Sequence, residues 1–143
     1  MFERTAPGRD GDRGTVVLTY GTFDLFHYGH LRILQRAAEL GDYLIVGVST
    51  DDFNGVKGKR CVYPWEHRAR IVEAIGFVDE VIPERCWEQK RRDILDRGVD
   101  ILVMGTDWQG KFDHLEDICR VVYLPRTPDI SSTGIKKDVK RNH

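Results

Sequence analysis

The chain has 143 residues, of which 41% are hydrophobic, and its formal net charge is −1. This length and composition suit one compact domain with its own core. A net charge near zero gives no overall positive field to attract a nucleic-acid backbone, so we expect no nucleic-acid partner. No run of about eighteen apolar residues occurs, so we expect no membrane insertion. Three irregularly spaced cysteines and no evident secretory leader indicate reduced thiols and a cytoplasmic location.

The first thirteen residues differ in composition from the rest of the chain. They are rich in Gly, Arg and Asp and have no apolar period. Such a segment buries too little apolar surface to offset the entropy lost on ordering. We therefore predict a disordered N-terminal extension over residues 1–13 and a single domain over residues 14–143.

Short β-branched runs alternate with helical patterns along that domain. The predicted strands cover residues 15–20, 43–49, 79–83, 100–105 and 120–125. The predicted helices cover residues 29–40, 64–76 and 87–97, with a last helix from about residue 131. Continuous apolar strands are buried on both faces, and their alternation with helices favours parallel pairing through right-handed crossovers. The pattern predicts an α/β fold, a Rossmann-like three-layer sandwich with a central parallel sheet of about five strands.

The loops that follow the strands are where a ligand is expected. In open parallel sheets, ligands bind beyond the carboxyl ends of the strands. The loops at that edge are residues 21–30, 50–60, 105–114 and 125–133. The functional residues should therefore come from these four segments.

The first of these loops, "GTFDLFHYGH", carries two histidines three residues apart. Gly29 precedes His30 where a helix should begin, and a helix start presents unpaired N–H groups that favour an anion. Two imidazoles beside that start would add donors for phosphate. A metal site is the second interpretation, although His27 and His30 have only Asp24 as an adjacent carboxylate and a site needs further ligands. Core packing of the two rings is the third.

Two motifs carry a resemblance to a known family. "TYGTFDLFHYGH" is similar to the HxGH signature of the nucleotidyltransferase superfamily, and "RTPDISST" near the C-terminus is similar to the RTxGIST motif of its cytidylyltransferase branch. "WEHRARI", "VDEVIPE" and "WEQK" extend the likeness over residues 16 to 140. The chain thus resembles the cytidylyltransferases, and in particular those that act on glycerol 3-phosphate.

The resemblance implies a reaction. A phosphate oxygen of glycerol 3-phosphate would attack the α-phosphorus of CTP, giving CDP-glycerol and pyrophosphate. It also implies Mg²⁺ brought with the triphosphate and no protein metal site, a homodimer, and a role in supplying teichoic acid or another cell-surface polymer. A cytidylyl- or adenylyltransferase for a different phosphorylated alcohol or polyol is the alternative enzyme. A catalytically silent nucleotide-binding module is the alternative from another class.

The resemblance also implies roles for individual residues. The catalytic group comprises His27, His30, Lys57, Lys59 and Arg126. The CTP-binding group comprises Thr22, Phe23, His27, Gly29, His30, Arg126, Thr127, Ile130, Ser131, Ser132 and Thr133. The acceptor-binding group comprises Lys57, Lys90 and Arg68. From the residues alone, the lysines could instead be solvated, the arginine could be an exposed helical side chain, and the hydroxyl residues could be plain helix caps.

Three positions depart from the family pattern. Gly76 stands where an arginine that helps to hold CTP is expected, Thr106 replaces an acidic residue, and Asp129 replaces the glycine of RTxGIST. One positive charge is lost and one negative charge is added near a predicted phosphate site. These changes bear on the acceptor and on the strictness of the CTP preference, and they leave the HxGH residues in place.

Overall fold

The computed structural model describes residues 13–126. Apart from Arg13, the predicted N-terminal extension lies outside these residues, and so does the helix predicted from about residue 131. The strands are β1 (Val16–Gly21), β2 (Tyr43–Ser49), β3 (Glu80–Glu84), β4 (Ile101–Gly105) and β5 (Arg120–Leu124). The helices are α1 (Tyr28–Ala38), α2 (Asp51–Val56), α3 (Trp65–Glu73) and α4 (Gln89–Asp96), and short 3-10 helices span Thr106–Trp108 and Asp113–Leu115.

The strands form one parallel sheet in the order β3-β2-β1-β4-β5. β1 lies in the middle, where Thr19 pairs with Val46 of β2 on one side and with Val103 of β4 on the other. The order reverses at β1, which places the switch point of the sheet beside the loop that carries the two histidines. The predicted parallel sheet of five strands is confirmed.

Two apolar clusters cover the two faces of the sheet. One face packs against α1 and α3 through Leu34, Ala37 and Val72. The opposite face packs against Ile94 of α4 and against Phe112 and Leu115 of the segment between β4 and β5. The predicted three-layer sandwich is therefore confirmed. Within residues 13–126, no helix has the length and apolarity needed to cross a membrane.

The helix α2 was not predicted, because its residues were assigned to the loop after β2. Thr50 caps it by accepting a hydrogen bond from the N–H of Phe53, and Asp51 and Asp52 occupy its negatively charged first turn. The ring of Phe53 is buried at 2% exposure. This six-residue helix has only one buried apolar side chain, that of Phe53. Such a short segment shows no repeating apolar pattern from which a helix could be predicted.

A close contact between β1 and β2 fixes a tyrosine that lines the functional edge. Tyr20 and Gly47 are register partners, and a Cβ on Gly47 would lie 2.3 Å from the Tyr20 ring. The hydroxyl of Tyr20 donates to Asp93 of α4 over 2.6 Å. The ring is thus held at both ends and has little freedom to move aside.

We predict that Gly47→Ala destabilises the protein by about 1–3 kcal/mol, because the added methyl forces the held Tyr20 ring to shift in a packed interior. Urea unfolding followed by circular dichroism measures the change. The matched control is Gly76→Ala, since nothing lies within 4 Å of a Cβ built at Gly76. Equal stability of the two variants would contradict the packing account.

Candidate active site

A cleft of about 500 Å³ opens at the carboxyl ends of the strands. It receives side chains from the loop after β1, from the segment after α2, and from the ends of β3 and β4. The lining residues that carry charge or a hydrogen-bonding group include Thr22, Asp24, His27, His30, Lys57, Lys59, Arg60, Glu84, Asp107 and Arg126. The loops predicted from strand order therefore meet at one site.

The backbone of the loop after β1 is tightly folded. Phe23 and Leu25 have positive φ angles of 55° and 49°, a region that costs a side-chain-bearing residue about 1–2 kcal/mol. The turn brings the Phe23 ring back over Gly21, where a Cβ would lie 2.8 Å from it. Gly21 is therefore required by the folded loop itself, and the Phe23 ring in turn packs edge-on against His30.

The two histidines cap the helix α1 reciprocally. Nδ1 of His27 accepts a hydrogen bond from the N–H of Gly29 over 3.0 Å. Nδ1 of His30 accepts one from the N–H of His27 over 3.2 Å. The rings stack with centroids 3.9 Å apart and planes 20° from parallel. Two of the unpaired donors at this helix start are thereby satisfied by imidazoles in place of the usual hydroxyl and carboxylate of a capping box.

These bonds decide which ring nitrogens carry protons. An Nδ1 that accepts from a backbone N–H is unprotonated, so in each neutral ring the proton lies on Nε2. Nε2 of His27 is buried and has no hydrogen-bond partner among residues 13–126. Burial, with a smaller contribution from His27, lowers the pKa of His30 to about 3, and burial also lowers the pKa of His27. Both rings are therefore neutral N–H donors, and both residues line the cleft.

The same geometry bears on the other interpretations of the histidine pair. Both Nδ1 atoms are occupied by the helix start, and the part of the chain that the structure describes contains no group of three or more His, Cys, Asp or Glu side chains able to hold a metal. Simple core packing would leave no reason for an unpartnered N–H in His27, since buried donors are almost always paired. An anion that accepts from Nε2 would satisfy it.

Asp24 joins the histidine loop to the segment after α2. Its two carboxylate oxygens accept from the N–H groups of Val62 and Tyr63 over 2.7 and 2.9 Å, and the residue is 2% exposed. Two charge-assisted bonds make this a strong link. They hold the lysine-bearing segment against the mouth of the cleft.

Arg68 of α3 is buried with no exposed surface, so the exposed helical position considered from the sequence is wrong. Its guanidinium donates to the carbonyl oxygens of Thr22, Ser49 and Tyr63 and to the carboxylate of Asp51. Arg68 therefore links the loop after β1, the end of β2 and the residues before α3 by hydrogen bonds. It does not line the cleft formed by the described residues.

Lys57 and Lys90 lie on either side of a buried carboxylate. The Nζ atoms of Lys90 and Lys57 lie 2.6 and 4.0 Å from the oxygens of Glu84, which is 3% exposed. The solvated positions considered from the sequence are therefore wrong for both lysines. Burial, partly offset by the charge of Glu84, lowers the pKa of Lys57 to about 8. Lys57 lines the cleft, and Lys90 lies one layer behind it.

The remaining predicted site residues divide between the cleft and the undescribed segment. Lys59 and Arg126 are exposed and line the cleft, where Arg126 is paired with Asp107. Thr22, Phe23 and Gly29 line it as well. The predicted residues outside the described part of the chain are Thr127, Ile130, Ser131, Ser132 and Thr133.

Three positions were identified as departures from the family pattern. Thr106 begins a 3-10 helix, Gly76 lies in an exposed turn, and Asp129 is outside the described residues.

Two groups that shape the site were not among the predicted residues. Glu84 ends β3 in the run "VDEVIPE", and Tyr20 is the last residue but one of β1. Their position at the carboxyl ends of strands was the available signal, because side chains there face the ligand edge. Their partners, Lys90 and Asp93, come from α4 and are visible only in three dimensions.

We predict that His30 stays neutral in the folded free protein from pH 8 to pH 5. Its imidazole NMR signals, assigned by comparison with His30→Gln, should not shift in that range, whereas the urea-unfolded chain should titrate near 6.5. Because the unfolded chain binds this proton below about pH 6.5 and the folded chain binds it only near pH 3, the contribution of His30 lowers the free energy of unfolding as pH falls through that window. A His30 midpoint above 6 would contradict the buried, neutral assignment.

The chain is similar to known proteins in both sequence and fold. Residues 18–138 match the family model described as cytidylyltransferase-like. The chain is 58% identical over 123 residues to the glycerol-3-phosphate cytidylyltransferase of Bacillus subtilis (strain 168), covering 86% of this chain and 95% of that protein. It is 54% identical over 123 residues to the Staphylococcus aureus protein of the same name, covering 86% and 93%.

The fold also matches a solved structure, the lipopolysaccharide core biosynthesis protein from Thermoplasma volcanium GSS1. The TM-score is 0.68 with 23% sequence identity, and the match covers 80% of this chain and 98% of that one. At this identity the likeness concerns the fold alone. The family model and the two close relatives place this chain in the cytidylyltransferase-like family, among the glycerol-3-phosphate cytidylyltransferases.

Proposed function

We propose that the chain transfers CMP from CTP to glycerol 3-phosphate, giving CDP-glycerol and pyrophosphate. The observation that carries the proposal is the histidine pair. The Nδ1 atoms of both rings accept hydrogen bonds at the helix start, so the ring protons lie on Nε2. Both histidines line the same cleft as Lys57. The glycerol 3-phosphate in the names of the close relatives supports the acceptor.

The reaction needs no protein nucleophile. The acceptor phosphate is already an anion, so one of its oxygens attacks the α-phosphorus of CTP directly. A new P–O bond forms as the bond from the α-phosphorus to the bridging oxygen breaks, and pyrophosphate leaves with that electron pair. The protein has to align two anions and stabilise the charge that builds on the phosphoryl oxygens.

The cleft supplies donors of two kinds for this task. The Nε2–H groups of His27 and His30 are neutral and would donate hydrogen bonds to phosphate oxygens. The N-terminus of α1, which these residues cap, also favours an anion. Lys57, Lys59 and Arg126 supply positive charge from the cleft wall. Arg126 would exchange its pairing with Asp107 for phosphate oxygens, to which its planar fork is suited.

We also propose that Mg²⁺ enters with the triphosphate and keeps its contacts to phosphate and water. Two carboxylates of the cleft support this, since both are already engaged. Asp24 accepts two backbone N–H groups, and Glu84 is paired with Lys90. Mg²⁺ often remains partly hydrated on substrate phosphates, where it neutralises charge.

Three further features belong to the same proposal. The protein acts in the cytoplasm, which fits Cys61, Cys86 and Cys119 being thiols and not disulfides. It works as a homodimer, as the resemblance to its family implies. Its product supplies glycerol phosphate units to teichoic acid or another cell-surface polymer.

Gly76 stands where the family pattern has an arginine. Other phosphorylated polyols should therefore be tested as acceptors alongside glycerol 3-phosphate.

The function is tested by incubating the protein with Mg²⁺, one nucleoside triphosphate and one acceptor, and following pyrophosphate release. We expect release with CTP and glycerol 3-phosphate and much less with ATP. The acceptor panel should include ribitol 5-phosphate, erythritol 4-phosphate and glycerol without phosphate. No release with CTP and glycerol 3-phosphate would refute the proposal, and release with another polyol phosphate alone would move it to that acceptor.

We predict that His30→Asn lowers kcat about 10²–10³-fold, the usual cost of removing one preorganised donor. Asparagine keeps an oxygen near the position of Nδ1, so the helix cap can persist while the Nε2 donor is lost. His30→Ala removes both groups and should lose at least as much activity and more stability. Activity of folded His30→Asn equal to wild type, measured by pyrophosphate release, would show that His30 acts only as a cap.

A further inference from the structure

Lys57 combines a largely desolvated ammonium group with a place in the cleft. Its side chain is 8% exposed, yet the residue lines the cleft together with His27 and His30. Its Nζ lies 4.7 Å from the centroid of the Phe53 ring and 5.9 Å from that of the Trp87 ring. Aromatic faces therefore replace much of the water that would surround the ammonium group of a surface lysine.

The other three lysines among residues 13–126 each lack one of these two properties. Lys90 is 2% exposed and does not line the cleft. Its ammonium group is enclosed by aromatic rings, those of Tyr20, Trp87 and Phe112. Lys59 lines the cleft but is exposed, and Lys111 is exposed and lies outside the cleft. Within the described residues, only Lys57 is both desolvated and open to a ligand in the cleft.

The charges around Lys57 weaken its hold on a proton. Its Nζ lies 4.0 Å from one oxygen of Glu84, whereas the Nζ of Lys90 lies 2.6 Å from the other oxygen. Burial, opposed by Glu84 and by Cys61 and assisted by the like charges of Lys59 and Lys90, lowers the pKa of Lys57 to about 8. At pH 8 about half of the Lys57 side chains are then neutral amines, against less than about 1% for an ordinary lysine.

A neutral lysine amine in a desolvated site is a nucleophile for a carbonyl carbon. Its lone pair forms a C–N bond to the carbon of an aldehyde. The carbonyl oxygen takes up two protons, both lost from the ammonium nitrogen, and leaves as water while the C=N bond forms. Ammonium and aldehyde thus give a protonated imine and water, with no oxidant or reductant consumed. The positive charge stays on the nitrogen of Lys57, beside Glu84.

The other groups of the cleft favour an aldehyde that carries a phosphate. Lys59 and Arg126 bring positive charge to the same cleft, and His27 and His30 bring neutral N–H donors. A ligand held there by its phosphate would keep its carbonyl carbon close to the Lys57 amine, which raises the effective concentration of the aldehyde. Glyceraldehyde 3-phosphate is such a ligand, since it is glycerol 3-phosphate with the terminal alcohol oxidised to an aldehyde.

We propose that Lys57 is a site of reversible covalent modification, at which a phosphorylated aldehyde forms an imine and blocks the cleft. The inference rests on the proposed function, because this aldehyde is the oxidised counterpart of the proposed acceptor. The bound aldehyde occupies the cleft in which acceptor and CTP would meet. Modification therefore inhibits the transfer of CMP.

The test treats the full chain at pH 8 with glyceraldehyde 3-phosphate and sodium cyanoborohydride, which reduces the imine to a stable secondary amine. Mass spectrometry of peptides measures the modified fraction of each lysine over time. We expect Lys57 to react at least about tenfold faster than Lys111, and this preference to disappear with unphosphorylated glyceraldehyde. The mass of the intact protein should show the fast reaction in Lys111→Arg, the matched control, and not in Lys57→Arg.

Pyrophosphate release from CTP and glycerol 3-phosphate should fall in proportion to the modified fraction of Lys57. Equal rates at Lys57 and Lys111, or an equal preference for Lys57 with unphosphorylated glyceraldehyde, would overturn the proposal. Should Lys57→Arg fail to fold, the peptide measurements on wild type still decide the question. Fast, phosphate-dependent modification of Lys57 in a protein inactive with every acceptor would support the modification site and refute the proposed function.

Discussion

The reciprocal hydrogen bonds between His27, His30 and the start of α1 set the chemistry of the cleft. By accepting backbone N–H groups on Nδ1, the two rings stay stacked, neutral and protonated on Nε2. The same two hydrogen bonds cap the start of the helix and leave the ring protons on Nε2. A capping carboxylate would begin the helix equally well, but it would leave no donor to offer an anion.

Within residues 13–126, each carboxylate that lines the cleft is paired. Asp24 is satisfied by backbone N–H groups, and Glu84 by Lys90. A buried pair of this kind contributes little to stability, because desolvation offsets most of the attraction between the charges. Its value lies in geometry, since it fixes an ammonium among aromatic rings and leaves Lys57 at the cleft surface.

The sequence predicted the sheet and most of the helices because their signals are local. Continuous apolar strands alternating with helices specify a parallel sheet, and strand-end loops specify the ligand edge. The positions of Arg68 and Lys90 could not be predicted in the same way. Whether a long cationic side chain is solvated or buried depends on distant carbonyl groups, carboxylates and rings. The carbonyl groups that Arg68 contacts belong to Thr22 in the loop after β1, to Ser49 at the end of β2 and to Tyr63 before α3. The same holds for Glu84, whose lysine partners are Lys57, just after α2, and Lys90 of α4.

The central position of β1 has a consequence for how the protein forms. Thr19 of β1 bonds to Val103 of β4 across 84 positions of the chain, and the cleft residues follow strands at both ends of the sheet. Contacts between distant segments close large loops and slow the folding of a domain. During synthesis the histidine loop emerges early, but its lysine and arginine counterparts are added strand by strand. Within residues 13–126 the lining of the cleft is therefore completed only when β5 joins the sheet, so binding of a ligand there would report that the sheet has formed.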